Sequence, residues 1–231
     1  MRKITGLCFL TATLLAGSAH AQSLFIEKGD PNAKSAMIGG GLIKDAWGIT
    51  LLGGFSYRGV FDVGLDFTRY AYTGGDNKNL AGYSAMPFVA WHPLRTDMEG
   101  MPISLSLILG VQRVFYSGND PYANPEGWGL LLGPSVYRRF EFGSKLLFIP
   151  EVLLAYDMQY TRFFTVAANQ PSGHTGGSAG GFGYDSGPRH GVRLLLRPNL
   201  LWHAGNARYL VVPYLGYQSA LAFGINLGML F

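Results

Sequence analysis

The chain has 231 residues, enough for one large domain or two small ones, and 48% of them are apolar, which excludes an intrinsically disordered chain. Only 14% are charged, while glycine reaches 33 residues and aromatics 14%, a balance that argues against a soluble helical enzyme. Beyond the N-terminus no stretch approaches the ~18 consecutive apolar residues of a spanning helix, which excludes a helical membrane protein.

Residues 1–21 read as a bacterial secretory signal peptide. Arg2 and Lys3 form the charged region, residues 7–16 the apolar core, and Ala19-His20-Ala21 an A-x-A cleavage site before Gln22. A membrane anchor is the weaker alternative, because the core is short and a cleavage site follows at once. Cys8 has no small-residue lipobox before it, so a lipoprotein is weaker still. Cleavage leaves 16 basic residues against 14 acidic and lowers the formal net charge from +4 to +2. The mature chain has no cysteine, hence no disulfide or thiol chemistry. It has no basic block either, and nucleic acid is not an expected partner. Residues 22–34 are expected to form a periplasmic N-terminal segment and residues 35–231 the single folded domain.

From Ser35 onward the chain breaks into segments of about ten residues or more with period-2 alternation, separated by turn chemistry. Ten strands are expected, over 35–44, 46–58, 60–72, 80–92, 101–116, 127–142, 145–164, 190–203, 207–218 and 221–231. In the last, Leu221, Phe223, Ile225, Leu227, Met229 and Phe231 share one face, while Ala222, Gly224, Asn226 and Gly228 share the other. Residues 60–72 and 190–203 repeat the pattern, one face bulky and apolar, the other small or charged. Export, very bulky apolar faces and small-or-charged opposite faces point to an all-β fold: a single antiparallel transmembrane barrel, lipid outside, polar or packed inside, without a free edge. Eight strands would result if Gly39-Gly40-Gly41 and neighbouring segments were not separate strands.

The connections alternate in kind. Those at 58–59, 94–100, 143–144 and 204–206 are mostly tight, and those at 74–79, 117–126 and 165–189 longer, polar or glycine-rich. With an even strand count both termini fall beside the tight turns, on the periplasmic side. Trp47, Trp91, Trp128, Trp202 and Phe231 take outward parity at strand ends, as an interfacial aromatic girdle does. Pro87, Pro134, Pro150, Pro198 and Pro213 sit inside strands with outward parity and are expected to mark bulges or kinks, since proline removes a ladder donor.

The signal peptide, the alternating strands and the terminal Phe231 together resemble the small bacterial outer-membrane β-barrel proteins. That resemblance implies residence in the bacterial outer membrane, contact with its lipid and lipopolysaccharide, and insertion by the barrel assembly machinery. The C-terminal strand, with its final aromatic, is similar to the signal that machinery reads, although this chain carries Asn226 and Gly224 where glycine and a polar residue are usual.

Inward parity gives the lumen a mixed charge network: Asp62 and Asp66, Arg139 and Glu141, Glu151 and Asp157, and Arg193, Arg197 and His203. The acids of strand seven, Glu151 and Asp157, should pair with Arg193 or Arg197 of strand eight, or Glu151 with Arg139, because an unpaired buried charge costs several kcal/mol. Leu131, Leu147, Ile149, Leu153 and Leu195 favour a packed interior over a charged constriction in a pore. Arg69 and Arg113 face outward near the outer end, where a guanidinium snorkels or meets lipopolysaccharide phosphate. Asp185, Ser186 and His190, with His174, could activate a hydroxyl or a water in a lipid A-modifying or proteolytic barrel. Their spacing is unspecific, and no metal-ligand spacing supports His174 and His190. No catalytic residue, metal or cofactor is therefore assigned. The expected function is a non-enzymatic outer-membrane barrel with a structural or surface-interaction role, a narrow passive channel being the alternative and a barrel enzyme the second.

Overall fold

The computed structural model of the chain describes residues 33–43, 46–73, 81–96, 101–117, 126–165, 182–205, 207–217 and 220–231, and its regular elements there are all strands. In chain order they are β1 (Lys34–Ile43), β2 (Ala46–Tyr57), β3 (Phe61–Tyr72), β4 (Ala81–Leu94), β5 (Ser104–Ser117), β6 (Glu126–Tyr137), β7 (Phe140–Phe142), β8 (Leu146–Thr165), β9 (Phe182–Ala204), β10 (Ala207–Tyr217) and β11 (Leu221–Leu230). Consecutive strands pair antiparallel except β6 and β7: β6 pairs directly with β8, β7 pairs with β8 alone, and β1 pairs with β11 from Ser35↔Leu230 to Ile43↔Ala222. The sheet therefore closes into a ten-strand antiparallel barrel with no open edge, the short β7 being an extra piece at the end of β6.

Two strand boundaries depart from the sequence reading. Residues 127–142 do not run as one strand: pairing breaks at Arg138-Arg139, and only Phe140–Phe142 resume it against β8. The eighth barrel strand begins at Phe182 instead of residue 190, because 182–189 pair with the upper part of β8. Glycine and proline at 183, 187 and 188 disguise that extension as a loop.

Pro87, Pro134 and Pro213 do not shift the register. Pro87 pairs with Leu65 of β3, Pro134 with Leu107 of β5 and Pro213 with Ile225 of β11, while the rungs on their other sides are missing. Each proline lacks a donor toward one neighbour only, and the same register resumes beyond it. The two irregularities of register among the described residues lie beside other prolines, at Trp91/Leu94, which brackets Pro93, and at Tyr160/Arg162, where Tyr160 pairs with Pro188.

Alternation sorts the side chains onto two faces. Outward, large apolar groups stand open, among them Ile38 at 57%, Leu51 at 52%, Leu227 at 51% and Val192 at 63% exposure. A continuous apolar wall of this kind does not persist in water. Inward, Ile108, Leu153, Leu195, Leu201 and Val212 are fully buried and join Met86, Phe88, Ile149 and Leu210 in one buried cluster.

The β2–β3 hairpin shows how tight the short turns are. Arg58 (φ 54°) and Gly59 (φ 61°) are both left-handed, and Val60 N donates to Tyr57 O at 3.0 Å. Glycine adopts this conformation at no steric cost; arginine does not. Arg58→Asn is expected to raise the unfolding free energy by about 1 kcal/mol, read as a higher midpoint in denaturant, because asparagine tolerates the left-handed region.

Candidate functional site: the charged barrel interior

The inward faces of β8 and β9 carry two ion pairs. Glu151 and Arg197 are register partners, and Arg197 Nη2 donates to Glu151 Oε1 at 2.7 Å. Ser135 Oγ of β6 donates to the same oxygen, so three strands meet at one carboxylate. Arg193 Nη2 donates to Asp157 Oδ2; its register partner is Ala155, so it reaches one diagonal step outward. Leu153 and Leu195, opposite one another and both 0% exposed, separate the two pairs. Below them Asn199 Nδ2 donates to the carbonyls of Ile149 at 2.8 Å and Arg197 at 3.2 Å. All four charged residues are at most 3% exposed, so each depends on its partner for the solvation that water gave it.

The remaining acids belong to β3. Asp66 accepts from Thr68 Oγ1 at 2.9 Å, and Arg193 acts on it electrostatically. Thr68 in turn shares a 2.9 Å hydrogen bond with Thr50 of β2. Asp62 lies 3.0 Å from His92 Nε2, while His92 Nδ1 meets Ser106 Oγ at 2.6 Å and the Tyr137 hydroxyl at 3.4 Å. Tyr137 also presents its ring to the imidazole at 87°. His92, Ser106 and Tyr137 are absent from the sequence-derived network. The signal was there: His92 shares its parity with Ser84 and Ala90, and Ala90 is the register partner of Asp62. The cluster contains an aspartate, a histidine and a serine, yet Asp62 and Ser106 are 1% and 0% exposed, which leaves no approach for a substrate. It couples β3, β4, β5 and β6 through side chains.

Three of the sequence-derived lumen residues lie outside this buried set. Arg139 and His203 are half-buried, Arg139 acting electrostatically on Tyr137. Glu141 is exposed on β7, where all three residues are exposed: it keeps the register of β6 against β8, opposite Leu147, but lies at the rim of the barrel. Trp47, Trp91, Trp128, Trp202 and Phe231 stand outward at 39%, 44%, 41%, 54% and 58% exposure. Asp185 and Ser186 belong to β9 instead of a loop, and His174 lies outside the described residues. His190 stacks on Tyr156 at 5.9 Å and shares a hydrogen bond with its hydroxyl. Among the described residues no group of three His, Cys, Asp or Glu side chains could hold a metal.

Near the outer end a cleft lined by Gly41, Gly48, Thr50, Thr68, Tyr70 and Tyr214 has a cavity volume of about 10 Å³, room for about one water.

A closed barrel with an apolar outer wall and a charged, packed interior defines the bacterial outer-membrane β-barrel class of fold. Comparison with solved structures agrees. The chain is similar to the translocator domain of autotransporter NalP from Neisseria meningitidis, with a TM-score of 0.55 and 12% identity over 87% of each chain. Two further likenesses are looser: the outer-membrane protease OmpT of Escherichia coli (TM-score 0.43, 6% identity, 90% of this chain and 98% of that one) and the β-domain of the Bordetella autotransporter BrkA (0.45, 11%, 87% and 98%). At such identities the likeness concerns the fold alone. No protein-family model matches the chain, and no curated protein matches its sequence.

Proposed function

We propose that this chain is a plugged barrel of the bacterial outer membrane, exported with its signal peptide cleaved after Ala21, with a structural or surface-interaction role and no reaction of its own. The observation that supports this reading is the burial of the inward face. Leu153, Leu195, Leu201, Ile108 and Val212 are 0% exposed there, and the charges between them pair with each other. A pore of charged constriction type needs charges turned to water; here Arg193 and Arg197 are turned to Asp157 and Glu151.

The rest follows from the wall. The tight turns and both chain ends mark the periplasmic side, and the C-terminal strand closing on β1 is the segment offered to the assembly machinery. At the opposite end Arg69 lies over the Tyr83 ring at 5.9 Å and Arg113 over Phe115 at 5.4 Å, a placement suited to lipopolysaccharide phosphate.

Refolded protein in liposomes is expected to leave them impermeable to a small neutral sugar in a swelling assay, and to leave the mass of added lipid A and of test peptides unchanged. Swelling at the rate of a porin control would replace this reading with the channel, and a shortened lipid or peptide with the enzyme.

A further inference from the structure

We propose that the periplasmic rim is a binding ring for anionic phospholipid headgroups of the inner leaflet. The proposal rests on the membrane reading and orientation given above, and adds the lipid class that the barrel selects. Lys34 at the start of β1, Arg58 in the β2–β3 turn, Arg138 at the β6–β7 break and Lys145 in the β7–β8 turn are all exposed at this one end. Arg95, Arg139 and Arg208 lie at the same end, half-buried. Among the described residues the acid exposed at this rim is Glu141 alone, against four exposed lysines and arginines; Asp97 and Glu99 of the turn after β4 lie outside the described residues.

Position favours a lipid over a soluble or polymeric partner. The cations are spread around the circumference, at the ends of β1, β2, β4, β6, β8 and β10, whereas a discrete partner needs them gathered on one side. They also sit at headgroup depth. Arg58 lies over the ring of Tyr57 at 5.2 Å and Arg138 over that of Phe140 at 5.1 Å, and both rings face outward among the girdle aromatics. Lys34 is tied through its backbone to Phe231, with N–O distances of 2.8 and 3.0 Å. Interfacial aromatics fix the depth of the wall, and cations beside them stand at the level of the phosphates. An anionic headgroup, whose phosphodiester has no compensating amine, is held more tightly than a zwitterionic one by each neighbouring Lys or Arg.

The test is native mass spectrometry of the refolded full chain in mixed micelles holding equal amounts of phosphatidylglycerol and phosphatidylcholine. Wild type is expected to retain phosphatidylglycerol over phosphatidylcholine by about tenfold, falling toward parity in high salt. The quadruple variant Lys34→Gln/Arg58→Gln/Arg138→Gln/Lys145→Gln should lose the preference while keeping the heat-modifiable gel mobility of a folded barrel. Arg69→Gln/Arg113→Gln, at the opposite end, should keep it. Refolded wild type without a preference, or a quadruple variant that retains one, overturns the proposal alone. So does co-sedimentation with peptidoglycan that the quadruple variant loses while wild type shows no lipid preference. A wild-type monomer stable without detergent would overturn the membrane reading and this proposal with it.

Discussion

Replacing Arg197 by alanine is expected to lower the unfolding free energy by about 3–5 kcal/mol, measured by reversible denaturation in detergent with tryptophan fluorescence. Glu151 is 2% exposed and its Oε1 receives both Arg197 and Ser135, whereas Oε2 has no hydrogen-bond partner. The variant keeps this carboxylate in an apolar surround with one hydroxyl left to solvate it. Much of that cost reflects the stranded charge, not the net worth of the pair. The double variant Glu151→Leu/Arg197→Met should therefore recover most of the loss, a coupling that distinguishes a stranded charge from simple loss of packing. A single-variant cost below about 1 kcal/mol, or a double variant as unstable as the sum of the singles, would show that the ion pair is not what holds β8 to β9 at this point.

Gly133→Val should cost at least about 3 kcal/mol and abolish refolding to the compact gel form. Gly133 faces inward on β6, at the gap in the ladder between Leu132↔Tyr156 and Ser135↔Leu153. A Cβ there would come within 2.2 Å of the Leu154 carbonyl oxygen and 2.4 Å of Ala155 Cα. Both are backbone atoms of β8, so no rotamer relieves the clash and the strands must part at a seam that closes the barrel. Gly53 is the control. Its Cβ would meet only the Ser35 carbonyl, at 3.7 Å, and Gly53→Ala should stay within about 0.5 kcal/mol of wild type.

The wall of this barrel was legible in the sequence because period 2 is strict and one face is lipid. A one-residue slip would turn Trp47, Trp91, Trp128 and Trp202 inward together. Parity also puts Glu151, Asp157, Arg193 and Arg197 on one side of adjacent strands. Which acid meets which arginine depends on register, and register was legible only within hairpins joined by short turns. Residues 182–189 were lost for a different reason: glycine and proline obscure alternation in a strand that β8 nonetheless pairs with. Glu141 keeps the parity that alternation assigns it, opposite Leu147, but alternation does not say how far along the strand the packed interior extends. The Asp62–His92–Ser106–Tyr137 cluster was missed because it joins four strands, and its members are ordinary one at a time.

The central claim, that side chains close the lumen, is tested most directly by single-channel recording of the refolded protein in a planar bilayer. The account predicts a flat baseline for wild type at voltages where a porin control conducts. Steady, reproducible current steps from wild type would contradict it and promote the channel reading, with Leu153, Leu195 and the two ion pairs failing to close the path.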